Sequence, residues 1–208
     1  MIPTAAKGVI VVLCGLLPGL WGDAPMYDTI PGQIEQETCI SLTSSKCFSP
    51  RAELKTSREY GFGLGQLTVT SRFNAFNEVK AQAPALLGDW QWTDRYDPRR
   101  QLIALLVMDR DHYRACQPLM DGPLNAMACA LAKYNGGAGG FNSDRRLCGN
   151  TQGCNPRVWF GNIEQTSTKP RATASGYGQS FFDINRGYVR NVLLQRRFKY
   201  EELMKCST

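Results

Sequence analysis

The chain has 208 residues, with one histidine, eight cysteines, 43% hydrophobic residues and a formal charge of +6. A chain of this length forms one domain by default, and its ordinary charge content and plentiful aromatics exclude bulk disorder. The lone His112 excludes a zinc site with two or three histidines, and the scattered basic residues form no bZIP-like run, RNP signature or zinc finger, so carboxylates are the acid–base groups left to consider.

Residues Gly8 to Gly22 are apolar throughout. The run is short for a membrane-spanning helix, and its flanks match a cleavable signal poorly. Residues 1–28 are therefore expected to hold either a core helix or an export or anchor segment, with Pro18 ending or kinking the helix. Thr29, Ile30, Pro31 and Ile34 open a helix reaching about Cys39. Ser41 to Pro50 reads as a loop. Tyr60 to Thr70, with Gly61, Gly63 and Gly65, reads as a close-packed turn leading into a short extended piece. Phe73 to Leu87 reads as one or more helices ending near Gly88. Asp97-Pro98 caps a helix from Arg99 to Cys116, and Leu102, Leu105, Leu106, Met108 and Tyr113 follow helical spacing. Leu124 to Tyr134 reads as a core helix. Asn135 to Gly140 is Gly-rich, and Phe141 to Tyr177 shows no clear period. Ser180 to Met204 reads as a long amphipathic helix, with Arg186, Arg190, Arg196, Arg197 and Lys199 as its solvated face.

No two cysteines stand in a Cys-x-x-Cys spacing, which disfavours a zinc ribbon. Cys39/Cys47 and Cys148/Cys154 would each close a short loop and are expected as disulfides, implying an oxidising compartment. Cys116/Cys129 is a weaker third pair, with Cys14 and Cys206 left free.

Two glutamates lie close together in IEQET. Glu37 follows Ile34 by three residues and Ile30 by seven, so it shares their helix face, whereas Glu35 points roughly 100–140° away. Glu37 is thus predicted to face the interior or a cleft, where desolvation would raise its pKa and let it hold a proton near neutral pH. A structural glutamate paired to an arginine is the competing reading.

Four segments in order resemble the soluble lytic transglycosylase family of the lysozyme superfamily. IEQET is similar to that family's Gln-Glu-Ser helix end, with Thr38 for Ser. SREYGFGLGQ is similar to its Ser-to-Gln glycine motif, through Ser57, Gly61, Gly63, Leu64 and Gln66, with Phe62 for Ala and Gly65 for Met. Asp97-Pro98 resembles its Asp-Pro-x-x-Asn-Ile. ALAKYNGGAG resembles its Ala-x-Ala-Tyr-Asn-x-Gly, through Tyr134, Asn135 and Gly137. Near the end, INRGYVRN resembles a further motif and adds Tyr188. The matched stretches run from Ile30 to Leu193, closely only in the short motifs. Two departures stand out. Ile184 occupies the place of a family Glu, so that contact is either lost or replaced by Asp183. The Cys39–Cys47 loop is inserted between Glu37 and Ser57, as in phage endolysin-like members.

The resemblance implies a mainly α, lysozyme-like fold with a short, irregular β-like segment, spanning residues 1–208. It implies cleavage of the MurNAc–GlcNAc β-1,4 bond of peptidoglycan glycan strands, with Glu37 catalytic and a 1,6-anhydro product. Ser57, Gln66, Tyr134, Asn135 and Tyr188 would bind substrate. No cofactor, metal or nucleic acid is called for, and a monomer is expected. The protein would act in the periplasm or on the bacterial wall, as a lysis protein or within a virion, reached by an unspecified route. With Asp94 or Asp97 as second carboxylate, the outcome would instead be hydrolysis of the goose-type lysozyme kind. A non-catalytic wall-binding module is a third possibility, which the retained Glu37 disfavours.

Overall fold

The computed structural model describes residues 2–206. It is mainly helical with a small sheet, as the sequence predicts. Along the chain run α1 (Thr4–Trp21), α2 (Thr29–Thr38), strands β1 (Glu53–Lys55), β2 (Tyr60–Phe62) and β3 (Leu67–Val69), then α3 (Ala75–Gln82), α4 (Pro84–Leu87), α5 (Pro98–Cys116), α6 (Gly122–Gly136), α7 (Ala138–Gly149) and α8 (Phe181–Asn191). The strands pair antiparallel in the order β1-β2-β3, with Gly61 of β2 opposite Leu54 and Thr68. Two compact units emerge: Met1–Met108 with Leu194–Thr208, and Asp109–Leu193.

In the first unit α1 buries Ala6, Val9, Ile10, Leu13, Leu16, Leu17 and Trp21, a single stripe at helical spacing. By length and composition α1 could also cross a membrane. Pro18 sits inside the helix, which ends one turn later at Trp21. Cys14 is not free: it bonds Cys206, with Cα atoms 5.4 Å apart. The sequence offered no sign of this pairing, because 192 residues separate the two. Trp21, Trp90, Tyr200, Phe48 and Phe62 are the largest fully buried side chains of this unit.

In the second unit α6 is buried continuously from Ala126 to Lys133 and packs against α7 and α8. The helix α7 corrects the expected irregular stretch after Gly140. Its four nearby glycines argue against a helix locally, but Phe141, Asp144 and Cys148 project to the core at spacings of three and four. Asp144 is 1% exposed and accepts from Thr168 N at 2.9 Å, Lys169 Nζ at 2.8 Å and Arg186 Nη1 at 2.9 Å. It thereby ties the irregular segment near 168 to α7 and α8. Cys116–Cys129 and Cys148–Cys154 are both bonded.

The last predicted helix is interrupted. After Asn191 the chain passes through a π-helical turn, Val192–Arg196, and a 3-10 turn, Arg197–Lys199. The basic residues expected to form one solvated face are instead ion-paired. Arg186 pairs with Asp144 and Arg190 with Glu164. Arg196 and Lys199 pair with Glu35, and Arg197 with Asp28 at 3.1 Å. These cations point at acids on other elements, a feature that charge spacing along one helix does not reveal.

Candidate active site

The segment carrying Glu37 is α2. Its buried residues are Thr29, Ile30, Pro31, Gly32, Gln33, Ile34, Glu35 and Thr38, so the helix is enclosed on every side. Gly32 allows this: a Cβ there would stand 2.9 Å from Arg197 N, a close backbone approach that excludes any side chain. The expectation for Glu35 is therefore corrected. Glu35, predicted to point away, is wholly buried, and Glu37 is half-buried.

Glu35 accepts from Lys199 Nζ at 2.7 Å, from Tyr200 Oη at 2.5 Å and from Arg196 Nη1. Burial alone would push its carboxyl upward. The hydrogen bonds from Lys199, Tyr200 and Arg196 outweigh that and hold it below the usual carboxylate range. Burial and Glu35 together push the Tyr200 phenol up. Glu35 is thus the structural, ion-paired glutamate.

Thr38, in the place of the family's Ser, is the hinge of this end of the helix. Its hydroxyl donates to Ile34 O at 2.7 Å and accepts from Phe48 N at 3.0 Å. With the Cys39–Cys47 disulfide, this fastens both ends of the inserted loop beside Glu37.

The glycine motif forms β2, a tight turn and β3. Gly63 has φ +80°, and a Cβ on it would lie 2.5 Å from Gln101 Cδ. Gln101, on α5, is 2% exposed. Its side chain accepts from Leu64 N at 2.9 Å and donates to Pro50 O at 2.8 Å and Arg95 O at 2.7 Å. Gln101 stands three residues after Pro98, where the family motif has Asn; sequence reasoning did not single it out, although that spacing was the available signal. Gln66 Nε2 donates to Ala52 O at 3.1 Å and Gly63 O at 2.9 Å, so its amide nitrogen holds the turn. Ser57 lies exposed in the β1–β2 connection, where Thr56 Oγ1 accepts from Arg58 N and Glu59 N at 3.1 Å.

Asp97 Oδ1 caps α5 by accepting from Arg100 N at 3.0 Å, and Asp94 is exposed. The sequence reading missed a further carboxylate, Glu53 on β1. Its Oε1 accepts from Tyr60 Oη at 2.5 Å and from Tyr96 Oη. These two bonds, Tyr60's first, hold the carboxyl below its ordinary range. Its only sequence signal is two tyrosines, one 36 residues after the other, which periodicity cannot pair.

The remaining candidates lie in the second unit. Asn135 is exposed at the end of α6, and its Oδ1 accepts from Asn185 Nδ2 at 3.0 Å. Asn185 also donates to Ala132 O at 3.1 Å. A Cβ on Gly136 would lie 2.7 Å from Asn185 Nδ2, so the glycine permits this junction of α6 with α8. Tyr134 is half-buried, and Tyr188 is 4% exposed among core residues. Asp183 lies in the first turn of α8. It completes the cap of α8, with its amide donating to Ser180 Oγ at 3.0 Å and its carboxylate accepting from that hydroxyl at 2.5 Å. Among the described residues, no group of three or more His, Cys, Asp or Glu is placed to hold a metal ion. No protein-family model matches the sequence, and no curated protein matches it significantly.

Proposed function

We propose that the chain is a peptidoglycan-cleaving lytic transglycosylase, an endolysin-like enzyme with Glu37 as its general acid. The observation that carries this reading is an interlock within the first unit. Thr38, next to Glu37, holds Phe48; Pro50 and Leu64 are held by Gln101 of the Asp-Pro segment; Ala52 O accepts from Gly63 N at 2.8 Å and from Gln66. Three segments that resemble the family in sequence are thus joined through their own hydrogen bonds. In the second unit, Asn185 joins the remaining two.

Glycosidic cleavage needs a proton on the departing oxygen, and protonated Glu37 supplies it. The 6-hydroxyl of the same muramic acid then attacks C1, and the Glu37 carboxylate takes the hydroxyl proton. The 1,6-anhydro ring closes without water, and the acid is regenerated. Gln66, whose nitrogen is engaged in the turn, offers its carbonyl oxygen to the glycan. Ser57, exposed in the β1–β2 connection of the same unit, is the further substrate contact of this reading. The +6 charge would draw the enzyme to an anionic wall.

Glu53 supports a second reading. A hydrolytic, lysozyme-type outcome requires a second, ionised carboxylate; hydrogen bonds from Tyr60 and Tyr96 favour that form of Glu53, whereas Asp97 is engaged in capping α5. One digestion separates the readings. Isolated peptidoglycan is incubated with the protein and the released sugars are identified by mass spectrometry. Anhydro-muropeptides are the expected product, reducing ends would favour hydrolysis, and no release would defeat both. Glu37→Gln should lower the rate by about 10²–10⁴-fold, the usual range for loss of a general acid.

A further inference from the structure

In the second unit, Lys133 lies on α6 immediately before Tyr134 and is only 7% exposed. Its ammonium stands 5.5 Å from the centre of the Phe141 ring, and no carboxylate pairs with it among the described residues. A lysine this deeply placed without an acid is rare, because desolvation penalises the charged form. Arg145 stands one turn beyond Phe141 on the same side of α7. Its Nε donates to Pro156 O at 3.0 Å, which orients the guanidinium and leaves both Nη groups without an acceptor among the described residues. Burial, then the charge of Arg145, pushes the Lys133 ammonium below its ordinary range. Burial, then the charge of Lys133, pushes the half-buried His112 imidazole down, with Asp111 acting the other way. Asp111 is itself engaged by Arg110 at 2.9 Å.

Lys133 thus stands between two basic neighbours, Arg145 and His112, and no carboxylate pairs with Lys133 or Arg145 among the described residues. Such mutual repulsion is relieved by an anion that takes a point contact from the lysine and a forked contact from the arginine. We propose that Lys133, Arg145 and His112 form a binding site for a small oxyanion, a carboxylate or phosphate group. This site goes beyond the function proposed above and is independent of Glu37 chemistry.

His112 is the sole histidine, so its imidazole resonances report on the site without ambiguity. The disulfide-intact full chain is titrated by NMR in chloride, then with inorganic phosphate and with N-acetyl-D-alanine at constant ionic strength. A saturable rise of the His112 pKa, by roughly half a unit or more, is expected with at least one of the two anions. Tighter binding of N-acetyl-D-alanine assigns the site to a peptide carboxylate; tighter binding of phosphate assigns it to a phosphate group. Lys133→Met keeps the apolar stem; it should raise the His112 pKa in chloride and weaken oxyanion binding at least about tenfold. Arg145→Gln, at a half-buried position, should weaken binding comparably and keeps the test decisive if Lys133→Met does not fold. A His112 pKa indifferent to both anions overturns the proposal, as does a shift of equal size and midpoint in wild type and Arg145→Gln.

Discussion

Glu35→Gln and Glu37→Gln, two residues apart on one helix, should separate stability from chemistry. Glu35 is wholly buried and holds Arg196, Lys199 and Tyr200. An amide in its place leaves two cations beside a neutral group. Breaking a buried ion pair by removing one partner costs about 3–5 kcal/mol. The Arg196 and Lys199 side chains are 24% and 33% exposed, so water recovers part of that and the lower end, about 3 kcal/mol, applies. For a chain of this size the loss corresponds to a melting shift of roughly 6–12 °C. Circular dichroism melts at pH 7 under oxidising conditions measure it, and Glu37→Gln should stay within about 1 kcal/mol of wild type. The pH dependence has a definite sign. The folded pKa of Glu35 is depressed, so its contribution is present above the unfolded value near roughly pH 4.3 and is lost as pH falls through the lower folded value. The wild-type and Glu35→Gln melts should therefore converge in acid. A Glu35→Gln protein as stable as wild type at pH 7, or a gap that persists undiminished into strong acid, would refute the assignment.

Removing the Cys14–Cys206 bridge by a Cys14→Ser, Cys206→Ser pair frees a closure of 192 residues. The chain-entropy model puts the loss near 5 kcal/mol, and a guanidinium midpoint unchanged from wild type would mean that the bond does not restrict the unfolded chain as that model requires. Gly63→Ala combines left-handed backbone strain of about 1 kcal/mol with displacement of the Gln101 amide from three backbone partners. A total of about 3 kcal/mol or more is expected by chemical denaturation, and a loss under about 1 kcal/mol would show that Gln101 yields at little cost.

Local signals made most elements legible. Proline and aspartate at helix starts, and the period of Leu102, Leu105 and Leu106, located α2 and α5 within a residue or two of their observed ends, and the stretch read as one or more helices from Phe73 to Leu87 holds α3 and α4. What escaped was information carried by distant partners. The helix α7 forms despite its glycines because Asp144 and Cys148 are claimed by residues later in the chain. Cys14 finds Cys206, and Gln101 finds a turn that lies 37 residues earlier.

The two glutamates show why the same limit reached the candidate site. A face argument assumes that a helix has one buried side, so that exposure depends on angle around the axis. The helix α2 has no polar side: Gly32 admits the 197–199 turn against its backbone, and Glu35 is closed in by Arg196, Lys199 and Tyr200. The partly exposed surface of α2 is then confined to two adjacent residues. The half-buried pair Gln36 and Glu37 lies in the last turn, before the disulfide-fastened loop. The half-burial of Glu37 agrees with the cleft side of the expectation, whereas the full burial of Glu35 does not follow from one buried face. A carboxylate at the end of an otherwise enclosed helix combines a rigid mount with access, the two properties that a general acid requires.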